Sequence, residues 1–313
     1  MVMMRKVATV FGGAGFIGRQ VVQRLAREDW VVRVVTRDPL GARGMHTMGR
    51  VGQIAGLAAD VTDEAGVARA VTGAGVVVNC VGILHGKFDA VHGEGPARIG
   101  RLSAAAGVER VVHISAIGAD AASESAYARS KAAGEAGLLA GFPEATILRP
   151  SIVFGEGDAF FNRFAQMGMV MPFMPVICGE TKFQPVHVGD VADAVMAALA
   201  DPATKGRVYE LGGPRAWSFR ELLAFIVKES GRRRPLVNIP LGLARFQAKL
   251  AELLPNPPLT QDQLILLQRD NVVAPGALTL SDLGIKPAAV EALVPPYLAR
   301  FKPGGARRVR PAA

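Results

Sequence analysis

The sequence predicts an α/β protein, with a Rossmann-type, doubly wound parallel sheet followed by a smaller C-terminal lobe of helices and mixed structure. Two observations predict this fold class. Over the first half of the chain, short apolar strand patterns alternate with helical patterns. A glycine-rich turn at residues 12–18 joins the first strand directly to the first helix. We therefore expect a Rossmann core at residues 1–150, a lobe at 151–300 that is partly interleaved with the core, and a flexible basic tail at 301–313.

Local patterns justify each element of the core. The first strand is apolar and β-branched, and the first helix places Ile17, Val21, Val22 and Leu25 on one face. Near-continuous apolar runs in later strands indicate a parallel sheet that is covered on both faces. The predicted strands are Lys6–Phe11, Val31–Thr36, Gly56–Ala59, Val76–Val81, Val111–Ser115 and Ala145–Leu148. The predicted helices are Phe16–Arg27, Glu64–Val71, Gly95–Ala106 and Ser125–Ala140.

The C-terminal lobe carries helix-start signals. Two capping boxes, Ser218 with Glu221 and Thr260 with Gln263, predict helices that begin at these points. The segment Leu241–Leu254 is amphipathic, and we expect its apolar side to pack on its own lobe rather than on a membrane surface.

The glycine-rich turn predicts a dinucleotide site. A pyrophosphate needs backbone N–H groups that can approach it closely and a helix N-terminus directed at it, and a strand–turn–helix with several glycines supplies both. A glycine pair can also serve a turn for steric reasons alone, but the strand before and the amphipathic helix after favour binding. The predicted cofactor contacts in this turn are Gly12, Gly13, Ala14, Gly15, Phe16, Ile17 and Gly18.

The residue after the second strand indicates which dinucleotide is bound. An acidic side chain there would accept hydrogen bonds from the adenosine ribose hydroxyls, whereas a guanidinium can bind a 2′-phosphate. Thr36 is followed by Arg37, and Asp38 comes only after it. We therefore expect NADP(H) to be preferred, with NAD(H) as the alternative if Asp38 takes the acidic role.

Two further strand ends supply cofactor contacts. Asp60 and Val61 follow the third strand, where the carboxylate would lie near the adenine amino group, unless Asp60 serves as a helix N-cap, a role that Asp63 could equally fill. At the end of the fourth strand, glycine lets the backbone pass close to the cofactor ribose. The predicted contacts there are Asn79, Cys80, Val81 and Gly82.

A tyrosine and a lysine are the candidate catalytic residues. Tyr127 and Lys131 lie four residues apart, so the phenol and the ammonium share one helix face. The ammonium can lower the phenol pKa and hydrogen-bond a ribose, so that the phenol can exchange a proton with a substrate oxygen. This spacing is common on exposed helices. Its position after the fifth strand, with Ser115 at that strand's end, favours a functional role for Ser115, Tyr127 and Lys131 in cofactor binding and catalysis.

Composition and charge limit where the protein is located and which partners it binds. No apolar run is long enough to cross a bilayer, the N-terminus leaves no room for a targeting peptide, and the cysteines Cys80 and Cys178 are widely spaced, so we expect a cytoplasmic protein. The thirty-six basic side chains exceed the twenty-seven acidic ones. Nucleic acid is not expected, because aromatic residues are sparse and no basic helix is visible. The basic tail suits an anionic membrane surface or an acidic protein face, or is simply solvated; it contains Lys302, Arg307, Arg308 and Arg310.

No metal site is predicted, because the histidines lack convergent partners. His113 is placed in a core strand, and His92 at a helix start without an assigned role.

The chain resembles the short-chain dehydrogenase/reductases, in their extended and atypical branches. The resemblance covers about the first 230 residues. Besides the motifs above, its carriers are Arg149-Pro150-Ser151-x-Val153-Phe154-Gly155, Gln184-Pro185-Val186-His187-Val188-x-Asp190-Val191-Ala192 and Tyr209-Glu210-Leu211-Gly212-Gly213-Pro214. It implies a cofactor site to which Pro150 and Ile152 also contribute. One departure is that Ser115 comes early relative to the hydroxyl that polarises the substrate in the extended enzymes.

More narrowly, the chain resembles the family of the NADPH-binding accessory subunit of respiratory complex I and its bacterial relatives. The carriers of this likeness include Val111-Val112-His113-Ile114-Ser115, Phe142-Pro143-Glu144-Ala145, Leu259-Thr260-x-Asp262-Gln263 and Asp282-Leu283-Gly284-Ile285. It implies NADPH held in a structural role, with complex I subunits or quinone-biosynthesis proteins as partners, on the cytoplasmic face of the inner membrane. The alternative is a free NAD(P)H-dependent reductase, epimerase or dehydratase that uses Tyr127 and Lys131 on an unidentified small molecule.

Overall fold

The computed structural model describes residues 6–39, 42–254, 257 and 259–304. The chain divides into two units, and each is assembled from separate stretches of sequence. The first unit consists of Met1–Pro150, Val188–Leu211 and Ala274–Lys286, and the second of Ser151–His187, Gly212–Val273 and Pro287–Ala313. The predicted tail at 301–313 falls mostly outside the described residues.

Strands and helices are numbered along the chain. The strands are β1 (Val7–Phe11), β2 (Val31–Thr36), β3 (Ile54–Ala58), β4 (Val76–Asn79), β5 (Arg110–Ile114), β6 (Thr146–Pro150), β7 (Val153–Phe154), β8 (Met174–Val176), β9 (Lys182–Phe183), β10 (Val186–His187), β11 (Val208–Leu211), β12 (Trp217–Ser218) and β13 (Leu236–Asn238). The helices are α1 (Phe16–Arg27), α2 (Glu64–Val71), α3 (Gly95–Ala105), α4 (Ala126–Gly141), α5 (Phe160–Val170), α6 (Val188–Ala200), α7 (Phe219–Glu229), α8 (Leu241–Ala251), α9 (Gln261–Leu266) and α10 (Val290–Leu298).

The first unit is built on a seven-stranded sheet in the order β11-β6-β5-β4-β1-β2-β3. Every neighbouring pair in it is parallel. The predicted α/β, doubly wound fold is thereby confirmed. The strand order reverses between β1 and β4, and in such sheets ligands bind in the crevice outside the carboxyl ends of the strands at this reversal.

Most predicted elements form with small shifts of their ends. The third strand begins earlier than predicted, at Ile54, and the fourth ends at Asn79 rather than Val81, so Cys80 to Gly82 lie in the following loop. The fifth strand ends at Ile114, which leaves Ser115 just outside it. The seventh strand, β11, was not predicted as a strand and pairs with β6.

The interior of the first unit is mostly apolar. On α1, Val21, Val22 and Leu25 are fully buried, as the helical periodicity predicts. Burial of such a side chain contributes about 1.5–3 kcal/mol, so this face holds the helix that begins at the glycine-rich turn firmly on the sheet.

The second unit has its own, more aromatic core. Phe154, Phe161, Trp217 and Phe219 are buried in it together with aliphatic side chains of α7 and α10. Both predicted capping boxes are present, at the starts of α7 and α9. Three two-stranded pairs complete the unit: β7 with β10, β9 with β12 and β8 with β13.

Candidate functional site: a dinucleotide cleft

The turn after β1 requires glycine for steric reasons at two positions. Gly12 has a φ of +68°, in the left-handed region, and a Cβ there would lie 3.1 Å from the Cys80 carbonyl. At Gly18, in the first turn of α1, a Cβ would lie 2.2 Å from the Gly12 carbonyl oxygen. These two close approaches bring the β1–α1 turn, the β4 loop and the helix start together.

A cleft of about 240 Å³ opens beside this turn in the first unit. Predicted cofactor residues form most of its wall: Gly12, Ala14, Gly15, Thr36, Arg37, Asp60, Val61, Cys80, Val81 and Gly82. The structure adds Phe11, Val35, Ala59, Ile83 and Val91. These five were missed because they lie outside the motif positions from which the contacts were predicted; Phe11, Val35 and Ala59 adjoin predicted contacts along the chain.

Other predicted contacts do not line the cleft. In the glycine-rich turn, Gly13, Phe16, Ile17 and Gly18 are not part of the wall, and Asn79 is buried in β4. The three candidate catalytic residues also lie outside the lining: Ser115, Tyr127 and Lys131. Pro150 ends β6, and its carbonyl accepts a hydrogen bond from Ile117 N at 3.0 Å. Ile152 belongs to the second unit, where its carbonyl accepts from Val186 N at 2.9 Å. Direct cofactor contact by any of these residues stays a prediction.

Arg37 and Asp60 give opposite charges to the end of the cleft at β2 and β3. Arg37 is exposed, whereas Asp38 is not part of the cleft wall. Asp63 accepts hydrogen bonds from Ala65 N and Gly66 N and is therefore the N-cap of α2, so Asp60 does not have that role. Burial raises the pKa of Asp60, but the hydrogen bonds from Thr62 and the charge of Arg37 outweigh burial, and the pKa lies below its ordinary value. Asp60 is thus a carboxylate at neutral pH.

The helix α4 carries the tyrosine and the lysine. Its N-cap is Ser125, which accepts from Ala128 N at 3.2 Å. Lys131 is buried, and its Nζ donates to the Ile114 carbonyl oxygen at 3.1 Å. Burial lowers the pKa of Lys131 to about 8, against the raising influence of Glu135 and Cys80. The ammonium is therefore placed at the end of β5, next to Ser115.

Two polar atoms at the end of β5 are buried without a partner among the described residues. One is the hydroxyl oxygen of Ser115, whose backbone N–H donates to Leu148 O at 2.7 Å. The other is Nε2 of His113. Asn79 Oδ1 accepts from Val81 N, so the Asn79 amide nitrogen donates to His113 Nδ1 at 3.1 Å and the ring proton lies on Nε2. Buried polar atoms are normally satisfied, so these two are available to a ligand or to water.

His92 connects the cleft to α4, a role that the sequence did not predict. It is buried in a π-helical turn at Asp89–Glu94, and its Nε2 accepts from Ile83 N, on the cleft wall, at 2.9 Å. Its Nδ1 therefore carries the proton and donates to Ser130 Oγ at 3.2 Å, and Ser130 donates to the Tyr127 carbonyl at 2.8 Å. The His92 and Tyr127 rings meet edge to face, with centroids 5.3 Å apart. Burial first, and then the charge of Lys131, lowers the pKa of His92 to about 3, so the ring is neutral.

Glycines allow α4 to pack closely on this turn and on α3. A Cβ at Gly134 would lie 1.8 Å from the His92 carbonyl oxygen, and one at Gly141 would lie 2.6 Å from Arg101 N. On the sheet side, Arg149 of β6 donates to both carboxylate oxygens of Glu135, at 2.9 and 2.6 Å. The position of Tyr127 and Lys131 is thus fixed from both sides of the helix.

Neither a metal cluster nor a membrane span is found in the part of the chain that the structure describes. No group of three or more His, Cys, Asp and Glu side chains there is placed to hold a metal ion. Within the same residues, no helix has the length and apolar character needed to cross a membrane.

The fold and the cleft define a Rossmann-type dinucleotide-binding protein. Residues 8–212 match the NAD dependent epimerase/dehydratase family, and the chain belongs to this family. A nicotinamide dinucleotide is therefore the cofactor class, and the residues fit it. Glycines in the turn leave the backbone uncovered beside the cleft. Ser115 Oγ and His113 Nε2, at the end of β5, have no partner among the described residues.

Individual relatives extend the similarity beyond the matched region. The chain is 33% identical over 307 residues to "NADH dehydrogenase [ubiquinone] 1 alpha subcomplex subunit 9, mitochondrial" of Dictyostelium discoideum, covering 95% of this chain and 85% of the relative. It is 34% identical to the protein of the same name from Arabidopsis thaliana, covering 96% and 79%. The structure of an NADPH-dependent quinone oxidoreductase, QOR2, of Escherichia coli shares the fold, with a TM-score of 0.74, 20% identity and coverage of 91% and 97%. The family resemblance predicted from the motifs is confirmed.

Proposed function

We propose that the protein holds NADPH as an accessory subunit associated with respiratory complex I. One observation carries this proposal: the similarity to proteins named as subunits of the ubiquinone-linked NADH dehydrogenase covers 95% of this chain, well past residue 212, where the match to the general enzyme family ends. A dinucleotide site alone would not distinguish a subunit from a free enzyme. Similarity across both units supports the subunit.

The preference for NADP(H) rests on Arg37. Its guanidinium is exposed at the end of the cleft next to the Asp60 carboxylate, where it can make charge-assisted hydrogen bonds to a 2′-phosphate. Replacement of Arg37 by Asp should weaken NADPH binding by about 100-fold or more, because an attraction of about 1.5–3 kcal/mol becomes a repulsion. NADH binding should change little. Calorimetry with both cofactors measures this, and equal losses for both would contradict the assignment.

Lys131 and Tyr127 have different proposed roles, one in binding the cofactor and the other in converting a substrate. The buried Lys131 would hydrogen-bond the nicotinamide ribose, and this contact serves binding whether or not any substrate is converted. Tyr127 would exchange a proton with a substrate oxygen only if turnover occurs. Because Ser115 comes early relative to the hydroxyl of the extended enzymes and does not line the cleft, it is a weak candidate to polarise a substrate, and the holding role is the better account.

The second candidate is a free NAD(P)H-dependent reductase, epimerase or dehydratase. The retained Tyr127 and Lys131 on α4 favour it, since a subunit that only holds its cofactor has no need of the phenol. Quinone-biosynthesis proteins are the corresponding alternative partners.

The two candidates differ in where the protein is found. We propose the cytoplasmic face of the inner membrane, against the complex I subunits, for the accessory role. The experiment is a native gel of membranes from the source cells, probed for this chain and for NADH dehydrogenase activity. Co-migration supports the accessory role. A chain that migrates alone and oxidises NADPH with a carbonyl substrate supports the free enzyme.

A further inference from the structure

The helix α8 in the second unit exposes its large apolar side chains. Leu243, Phe246 and Leu250 are exposed by 48%, 61% and 53%, and Leu253 and Leu254, in the turn that follows, by 83% and 57%. The expectation that this segment packs its apolar side on its own lobe is wrong for all five side chains.

The reason lies on the other side of the helix. Ala244 and Ala248, four residues apart, are fully buried, and they pack with Leu264 of α9. With about 100° between successive residues of a helix, the small residues face the unit while Leu243, Phe246 and Leu250 form a stripe on the far side. Ala244 and Ala248 thus hold the helix on the unit, while Leu243, Phe246 and Leu250 stay exposed.

The charges around this apolar stripe are positive. Arg245 and Lys249 are exposed on α8, and the helix contains no acidic residue. The next carboxylate, Glu252, accepts a hydrogen bond from Gln261 N at 2.7 Å, at the start of α9. Among the described residues, neither Arg245 nor Lys249 forms an ion pair with a carboxylate. Arg245 donates to the uncharged side-chain oxygen of Gln268 at 3.3 Å, which leaves its positive charge in place. An exposed apolar stripe beside these cations complements a surface that is apolar below and anionic at its edge.

We propose that α8 and its following turn form a membrane-surface anchor that inserts into the interface of an anionic lipid bilayer. An amphipathic helix with basic residues beside its apolar face lies in the plane of such an interface, with the apolar side chains among the upper acyl carbons. A second copy of the chain is a poorer occupant, because a two-fold contact between α8 helices would bring Arg245 and Lys249 close to their own copies. The proposal does not depend on complex I, since the anchor needs only lipid.

The test uses the purified full chain and vesicles that contain no protein. Vesicles of phosphatidylcholine with phosphatidylglycerol are compared with pure phosphatidylcholine by sedimentation. We expect binding to the anionic vesicles that weakens as salt is added. Phe246→Glu and Leu250→Glu should each reduce binding by roughly tenfold or more, because each removes one buried apolar side chain from the interface. Lys249→Gln should reduce binding to anionic vesicles by a few fold, because it removes one cationic contact with the lipid headgroups.

The matched control is Val51→Glu. Val51 is fully exposed in the first unit, so the substitution adds the same charge away from α8 and should leave binding unchanged. Every variant keeps the basic C-terminal residues, so a loss seen only with the α8 substitutions is assigned to α8. A Phe246→Trp variant adds a direct readout, because its additional fluorescence should be quenched by lipids brominated on the upper acyl chain.

Three outcomes would overturn the proposal. One is a wild-type chain that binds neither type of vesicle. Another is retention of full binding by the Phe246→Glu, Leu250→Glu double variant. The third combines three results: the wild type is a dimer in sedimentation analysis, the double variant is a monomer, and the wild type does not bind vesicles. The apolar stripe would then be a contact with a second copy of the chain.

Discussion

Replacement of Lys131 by methionine is expected to stabilise the cofactor-free protein while weakening its hold on a dinucleotide. The Lys131 side chain is almost fully buried, and its only hydrogen bond among those described goes to the Ile114 carbonyl. Burial lowers the pKa of the ammonium from 10.5 to about 8 even though the carboxylate of Glu135 acts in the opposite direction. The fold therefore disfavours the charge that binding requires.

The magnitude follows from this shift. At about 1.4 kcal/mol per pKa unit, the protonated lysine lowers the free energy of unfolding by about 3 kcal/mol at neutral pH. Methionine fills a similar volume without the charge but leaves the Ile114 carbonyl without its donor, which costs about 1 kcal/mol. We expect a net gain of about 1–2 kcal/mol and a rise in Tm of a few degrees.

The pH dependence gives the sharper test. The native state binds the Lys131 proton less tightly than the unfolded chain does, so the penalty is fully present below about pH 8 and fades as the pH rises toward 10.5. Urea unfolding of wild type and Lys131→Met should show a stability difference at pH 7 that has largely vanished at about pH 10. Lys228→Met, at an exposed lysine of α7, is the control and should change little at either pH. A variant that is less stable than wild type at pH 7, or a difference that does not change with pH, would show that the buried charge of Lys131 does not destabilise the fold.

Four other predictions concern the glycine-rich turn and the residues on and beside α4. Gly18→Ala should lower the free energy of unfolding by about 1–3 kcal/mol, measured by urea unfolding, because its Cβ would meet backbone at 2.2 Å. In Gly15→Ala the Cβ would lie 3.1 Å from the Gly12 carbonyl oxygen, a tight contact, so stability should fall by less than for Gly18→Ala. Calorimetry should show NADPH binding roughly tenfold weaker or worse, since the Cβ projects where the backbone must approach the pyrophosphate; unchanged affinity would contradict this role. Tyr127→Phe should leave NADPH affinity within about twofold and abolish any measurable turnover, and activity that survives would remove the phenol from the chemistry. His92→Leu should cost about 1–3 kcal/mol of stability, since the Ile83 N–H loses its acceptor, and a neutral effect in urea unfolding would show that this link is dispensable.

The sequence was most informative where structure is decided locally. The β1–α1 unit and the two capping boxes form as predicted, because strand periodicity, glycine placement and cap chemistry act within a few residues of one another. The strand β11 was missed because it has only four residues, Val208–Leu211, and Glu210 interrupts the apolar run that marked the predicted strands.

The same distinction explains the results for His92 and α8. A single histidine at a helix start has no sequence signal for a bond to Ile83, since that contact is created by the π-helical turn. In α8, periodicity correctly predicts an amphipathic helix, but it cannot tell which side faces the unit. The structure shows that Ala244 and Ala248 are inside.

The nucleotide content of the chain in its native assembly is the most direct test of the proposal that the chain holds NADPH as a subunit. The chain is isolated gently from membranes of the source cells, and the reduced and oxidised forms of both dinucleotides are extracted and quantified in each fraction. We expect about one NADP(H) per chain, mostly reduced, in the fraction that carries NADH dehydrogenase activity. A chain that elutes away from that activity, and that carries either no nucleotide or NAD(H), would contradict it.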